Sequence, residues 1–100
     1  MDLPIIRGVG DVFKAIADPT RRAILDELQE RSGQTLFEIC ARLMTKHGLA
    51  STRQAISQHL DVLEAAGLVH TRRDGRYKFH DLDTGPLRQI GERWPSDPHG

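Results

Sequence analysis

Apolar residues recur along this chain at helical spacing in several blocks and at alternating spacing in one. Val9, Val12, Phe13, Ile16 and Ala17 follow the i, i+3, i+4, i+7, i+8 pattern of a single helix face. Asp18-Pro19 then interrupts the pattern and restarts it, because Asp caps helices and Pro is pre-set for the first helical position. The second helix is expected to reach about Arg31, burying Ala23 or Ile24, Leu25 and Leu28, with Ser32-Gly33 ending it. Thr35 and Glu38 have capping-box spacing and open a third helix with Leu36, Ile39, Cys40 and Leu43 inward. Ser51 and Gln54 repeat that spacing, predicting a fourth helix over residues 52–66 with Gly67 as a left-handed stop.

After Gly67 the texture changes. Residues 68–73 and 76–80 read as two strands about an Asp74-Gly75 turn, which favours the positive φ angles of a tight hairpin. Tyr77 and Phe79 share one strand face, Arg76 and Lys78 the other. Thr84-Gly85-Pro86 starts a last helix with Leu87, Ile90 and Trp94 inward, and residues 95–100 read as a loose tail. About five helices and a two-stranded wing, mainly α with a small β-hairpin, make a winged helix-turn-helix plan in one domain over residues 1–94.

Composition narrows the setting. The chain is 38% hydrophobic and 28% charged, an ordinary globular mixture. No apolar run is long enough to span a membrane, and residues 1–10 do not read as a secretory signal. A single cysteine, Cys40, excludes an internal disulfide and a multi-cysteine zinc cluster within one chain, so the expected setting is cytoplasmic. Net charge is zero, but residues 41–80 hold seven basic and three acidic residues, +4, leaving −4 for the rest. A neutral protein can therefore present a basic face to phosphate.

The fourth helix sharpens that point. At about 100° per residue, Ala55, Ile56, Leu60, Val62, Leu63 and Ala66 gather on one side. Arg53, Gln54, Ser57, Gln58 and Asp61 fill a wedge of about 140° on the other. Arg suits guanine and Gln suits adenine, because each makes two parallel hydrogen bonds to one base edge. Thr52 and Ser57 hydroxyls suit phosphate. The expected DNA-binding set is Thr52, Arg53, Gln54, Ser57 and Gln58, with Arg72, Arg73, Arg76 and Lys78 of the wing and Arg21 and Arg22 at its edge. For Arg21 and Arg22 the bland alternative is pairing with Asp18 or Asp26. His59 falls toward the apolar side, as a hydrogen-bonded histidine at the core's edge.

Three segments, "FKAIADPTRRAILDEL" at 13–28, "RQAISQHLDVLEAAGLVHTRRDGRYKFHDL" at 53–82 and "PLRQIGERW" at 86–94, resemble the ArsR/SmtB family of bacterial winged-helix repressors. The likeness is to the branch carrying "ADPTRR" and extends over residues 9–94. It implies a homodimer joined through the first and last helices, and an imperfectly palindromic double-stranded operator, usually of the gene's own operon. The sequence agrees with the dimer: Val9, Val12, Phe13 and Ile16 form one apolar stripe and Leu87, Ile90 and Trp94 another, more than a small core covers easily. The alternative is that the two stripes pack on each other within one subunit.

Many family members release DNA on binding a metal through a Cys-x-Cys pair on the third helix. Aligned through "LFEICARL", those positions are Thr35 and Phe37 here, so that site is lost, and Cys40 reads as a structural thiol. No cofactor and no metal ligand set is expected. A nickel, zinc or copper site assembled across a dimer is the alternative within the family. A protein-interaction winged helix is the alternative outside it, and predicts exposed apolar groups on the fourth helix. No phosphate loop, nucleophile motif or Cys-His dyad supports an enzyme.

Overall fold

The computed structural model describes residues 9–95. The expectations for residues 1–8, for the Val9 side chain and for the tail beyond Pro95 lie outside the described residues. The elements run α1 (Val9–Ile16), α2 (Pro19–Glu30), α3 (Leu36–His47), α4 (Arg53–Ala65), β1 (Val69–Asp74), β2 (Tyr77–Leu82) and α5 (Gly85–Arg93). Helices α2, α3 and α4 pack on one another, α1 lies against α2, α4 and α5, and the antiparallel hairpin joins α2, α3 and α4. Ile24, Leu28, Ile39, Leu43, Ile56, Leu63, Leu68 and Val69 form the fully buried centre.

Local chemistry sets most of the boundaries. Asp18 accepts the Arg21 N–H at 3.0 Å with Pro19 opening α2. Thr35 and Glu38 form a reciprocal capping box on α3. Gly67, at φ +79°, ends α4. Its N–H donates to the Glu64 carbonyl at 2.9 Å and Leu68 N–H to the Leu63 carbonyl at 2.9 Å, the paired bonds of a Schellman stop.

Four details differ from the sequence expectation. Helix α1 ends at Ile16, so Ala15, not Ala17, joins Val12 in the core, and Phe13 is 47% exposed. The α4 cap is Thr52 in place of Ser51: the Thr52 hydroxyl accepts the Ala55 N–H at 3.0 Å, one residue later, in phase with buried Ile56, Leu60 and Leu63. In the hairpin, Asp74 pairs with Tyr77, so the turn centre is Gly75-Arg76. Only Gly75 has positive φ, the sign pattern of a II′ turn, which puts glycine first. Trp94 is 60% exposed, beyond the end of α5, with the Arg93 guanidinium 5.0 Å from its ring.

One buried charge ties α2 to α3. Glu27 is 1% exposed, with Arg42 at 3.3 Å, Lys46 at 3.3 Å and His47 at 3.0 Å; Lys46 also pairs with Glu30. Burial pushes the Glu27 carboxyl up, yet hydrogen bonds from His47 and Lys46 outweigh it and hold it below the usual range. Asp18, Glu38 and Asp83 are also lowered, chiefly by the backbone N–H groups of Arg21, Thr35 and Gly85 respectively.

All four carboxyls titrate lower in the fold than in the unfolded chain. Their contribution is therefore present above the ordinary carboxylate values, about 4, and is lost as pH falls below them through the lower folded-state values. Denaturant unfolding should give a clearly lower stability at pH 3 than at pH 7. Glu27→Gln should cost about 1.5–3 kcal/mol at pH 7 and flatten that acid dependence. Equal stability of the two proteins at pH 7 would contradict the clasp.

Candidate nucleic-acid interface

Helix α4 presents the polar wedge outward. Arg53, Gln54, Gln58 and Asp61 are exposed, and Ser57 is half-buried where it meets the wing. Thr52 uses its hydroxyl oxygen as the helix cap but keeps its O–H to donate. The Arg53 guanidinium lies 5.5 Å from the centre of the Phe37 ring, which α3 holds exposed beside the start of α4.

The wing divides its cations between two faces. Arg72, opposite Phe79, stacks on that ring at 4.8 Å and donates from Nε to Asp81 at 2.9 Å. Arg73, opposite Lys78, shares the other face with Thr71 and His80. Thr71 donates to Glu64 of α4 at 3.3 Å, which turns this second face toward the helices. A cleft of about 280 Å³ separates the two halves, lined by Thr35, Phe37 and Ser57 on one side and Arg76, Tyr77 and Lys78 on the other.

The hairpin is bolted to the turn between α2 and α3. His80 N–H donates to the Gln34 carbonyl at 2.8 Å, and Gly33 and Gln34 N–H groups donate back to the His80 carbonyl at 2.8 and 3.2 Å. The His80 ring Nδ1 adds a bond to the Gln34 carbonyl at 2.9 Å, and Leu82 N–H donates to the Ser32 hydroxyl at 3.0 Å. Buried Gln34 in turn donates from Nε2 to the Glu27 and Arg31 carbonyls. Gln34, His80 and Glu27 are absent from the sequence expectation, although an acid in the Ile24–Leu28 stripe, one turn beyond Ala23, marks Glu27 as unusual.

Charge pairing refines the basic segment. Ion pairs among the described residues engage Arg31, Arg42, Lys46 and Arg72 with carboxylates, and leave Arg53, Arg73, Arg76 and Lys78 out. Two of the seven positive charges counted between residues 41 and 80, Arg42 and Lys46, thus belong to the Glu27 clasp. Those that remain are on α4 and the wing.

Arg21 and Arg22, expected at the edge of the DNA contact, send donors to the end of α1. Arg21 donates from Nε to the Ala15 carbonyl at 2.7 Å and from Nη2 to the Lys14 carbonyl at 3.0 Å. Its Nη1 is 3.2 Å from His59 Nδ1. Arg22 Nη1 donates to the Ile16 and Ala17 carbonyls at 2.8 and 3.0 Å. Both side chains donate to carbonyls at the end of α1, and neither forms a side-chain ion pair with Asp18 or Asp26. Of the apolar stripes, Val12 is 3% exposed in its own subunit, Ile16, Leu87 and Ile90 are half-buried where α1 meets α5, and Phe13 and Trp94 remain outside.

The α3 positions do not fit a metal: Thr35 is occupied by its capping box and Phe37 has no donor atom. Among the described residues no group of three or more His, Cys, Asp and Glu could hold a metal ion. His80, Asp81 and Asp83 face separate partners, namely Gln34, Arg72 and His70.

Comparison with known proteins agrees with this geometry. A family described as a helix-turn-helix domain matches residues 16–72. The HTH-type transcriptional regulator YuzN of Bacillus subtilis (strain 168) is 51% identical over 83 residues, 83% of this chain and 90% of that protein. The transcriptional repressor SdpR of the same organism is 36% identical over 80 residues, 80% of this chain and 81% of SdpR. An ArsR-like transcriptional regulator from Rhodococcus sp. RHA1 superposes with a TM-score of 0.73 at 33% identity, over 85% of this chain and 72% of that one. The chain belongs to the ArsR/SmtB family of winged helix-turn-helix proteins, and it is a DNA-binding transcriptional regulator, with the fold of regulators and not of enzymes. Among the described residues no helix is long and apolar enough to cross a membrane.

Cys40 is half-buried on α3, and burial raises its thiol above the ordinary range, with Arg53 opposing. It should react with a disulfide reagent at pH 7.5 at least about tenfold more slowly in the folded protein than in urea. Equal rates would contradict its placement.

Proposed function

We propose that this regulator is a homodimeric repressor of a palindromic operator, acting in the cytoplasm, with α4 in the major groove and the wing on the adjoining backbone or minor groove. One observation carries the proposal. Ser57 of the polar face of α4 and the wing cations Arg76 and Lys78 line one cleft, and none of Arg53, Arg73, Arg76 and Lys78 has a carboxylate partner among the described ion pairs. Gln54 and Gln58, exposed beside Arg53, have the bidentate chemistry that distinguishes bases. Arg73, Arg76 and Lys78 have the charge that attracts phosphate whatever the sequence.

Pairing of two copies would cover Phe13 and Trp94 together with the half-buried Ile16, Leu87 and Ile90, which flank the α1–α5 contact. Two copies of α4 would then enter successive major grooves about 34 Å apart. Repression is the activity named for SdpR.

Selection of bound sequences from random DNA, followed by anisotropy titrations, tests the proposal. The expected product is a two-fold related site bound by two chains; recovery of no preferred sequence would overturn it. Gln58→Ala should reduce discrimination among sequences by about 1–3 kcal/mol. Uniform weakening on all DNA would place Gln58 on phosphate alone. Arg76→Ala should weaken selected and random DNA alike and reduce the salt slope by about 0.9. An unchanged slope would put Arg76 outside the contact.

A further inference from the structure

The back of α4 holds one polar residue among apolar ones. With about 100° per residue, His59 lies about 170° round the helix from the centre of the Arg53–Asp61 wedge. Ala55, Ile56, Leu60, Val62 and Leu63 share that side with it. Apolar packing is non-directional and leaves a helix some freedom to turn about its axis. A hydrogen bond is directional. A rotation of about 10° moves an atom about 6 Å from the axis by about 1 Å, enough to spoil a base-edge hydrogen bond.

The His59 partner is itself fixed. Arg21 is held at three points: Nε on the Ala15 carbonyl, Nη2 on the Lys14 carbonyl and Nη1 at His59 Nδ1, 3.2 Å away. A guanidinium only donates, so His59 Nδ1 accepts and the ring proton is on Nε2. Asp18, which caps α2, places Oδ2 4.0 Å from the same Nδ1. One rigid fork therefore spans the end of α1, the start of α2 and the rear of α4.

We infer that His59 is a positioning residue for DNA reading: through Arg21 it registers the rotation of α4 against the end of α1, and thereby the aim of Gln54, Ser57 and Gln58. This rests on the DNA-reading role proposed above for those three residues. Because α1 also exposes Phe13, the bracket relates the reading helix to the face expected to pair.

The test compares wild type, His59→Leu and His59→Asn on the selected operator and on random DNA, with thermal melts of each. Asn places an acceptor oxygen near the position of Nδ1; Leu keeps bulk without an acceptor. The expected result is a loss of about tenfold in operator-over-random preference for His59→Leu, random-DNA affinity within twofold of wild type, and recovery of most of the preference in His59→Asn. Three results would overturn the inference: full preference in His59→Leu, failure of His59→Asn to recover it, or parallel weakening on both DNAs with a lowered melting temperature. A wild-type protein without sequence preference would instead overturn the proposed function, so the two failures are distinguishable.

Discussion

A two-stranded hairpin has little stability of its own in water, so the position of this wing depends on the bridge at its root. Gln34 and His80 exchange backbone hydrogen bonds across the turn between α2 and α3, and the His80 ring adds another. These groups are buried, where an unpaired donor or acceptor costs about 1–3 kcal/mol, so the bridge is strongly specified. It fixes the distance from Arg76 and Lys78 to Ser57, and with it the cleft at which helix and wing meet.

The turn between α1 and α2 is the second organising point. In five consecutive residues, 18–22, an acid caps the incoming helix, a proline opens it and two arginines close the outgoing one. The charges serve backbone ends, whose partial charges they complement. Arg21 and Arg22 thus spend donors on the end of α1, close to the helix expected to read DNA.

What was legible in the sequence was mostly local. Caps, the Gly67 stop, the amphipathic phase of α4 and the hairpin all depend on residues within a few positions of each other, and each was recoverable to within a residue or two. The misplacements have the same origin: Ser51 and Thr52 can both cap a helix, and Asp74-Gly75 competes with Gly75-Arg76, until packing or strand register selects one. What was not legible joins distant segments. Gln34 and His80 are 46 residues apart, and Arg21 and His59 are 38 apart. Each looks like an ordinary polar residue until the fold brings it to its partner. The basic segment was only half informative for that reason, since Arg42 and Lys46 face Glu27 rather than solvent-borne phosphate.

On the proposed function, helix α4 and the wing act as one DNA-facing surface, presented twice by a symmetric pair of chains. Hydroxyl-radical footprinting on a selected operator measures this directly, by reporting which sugars the bound protein shields. The expected pattern is two shielded stretches on one face of the duplex, centred about 10 base pairs apart, with weaker flanking protection from the wings. A single stretch, or two stretches on opposite faces, would contradict it.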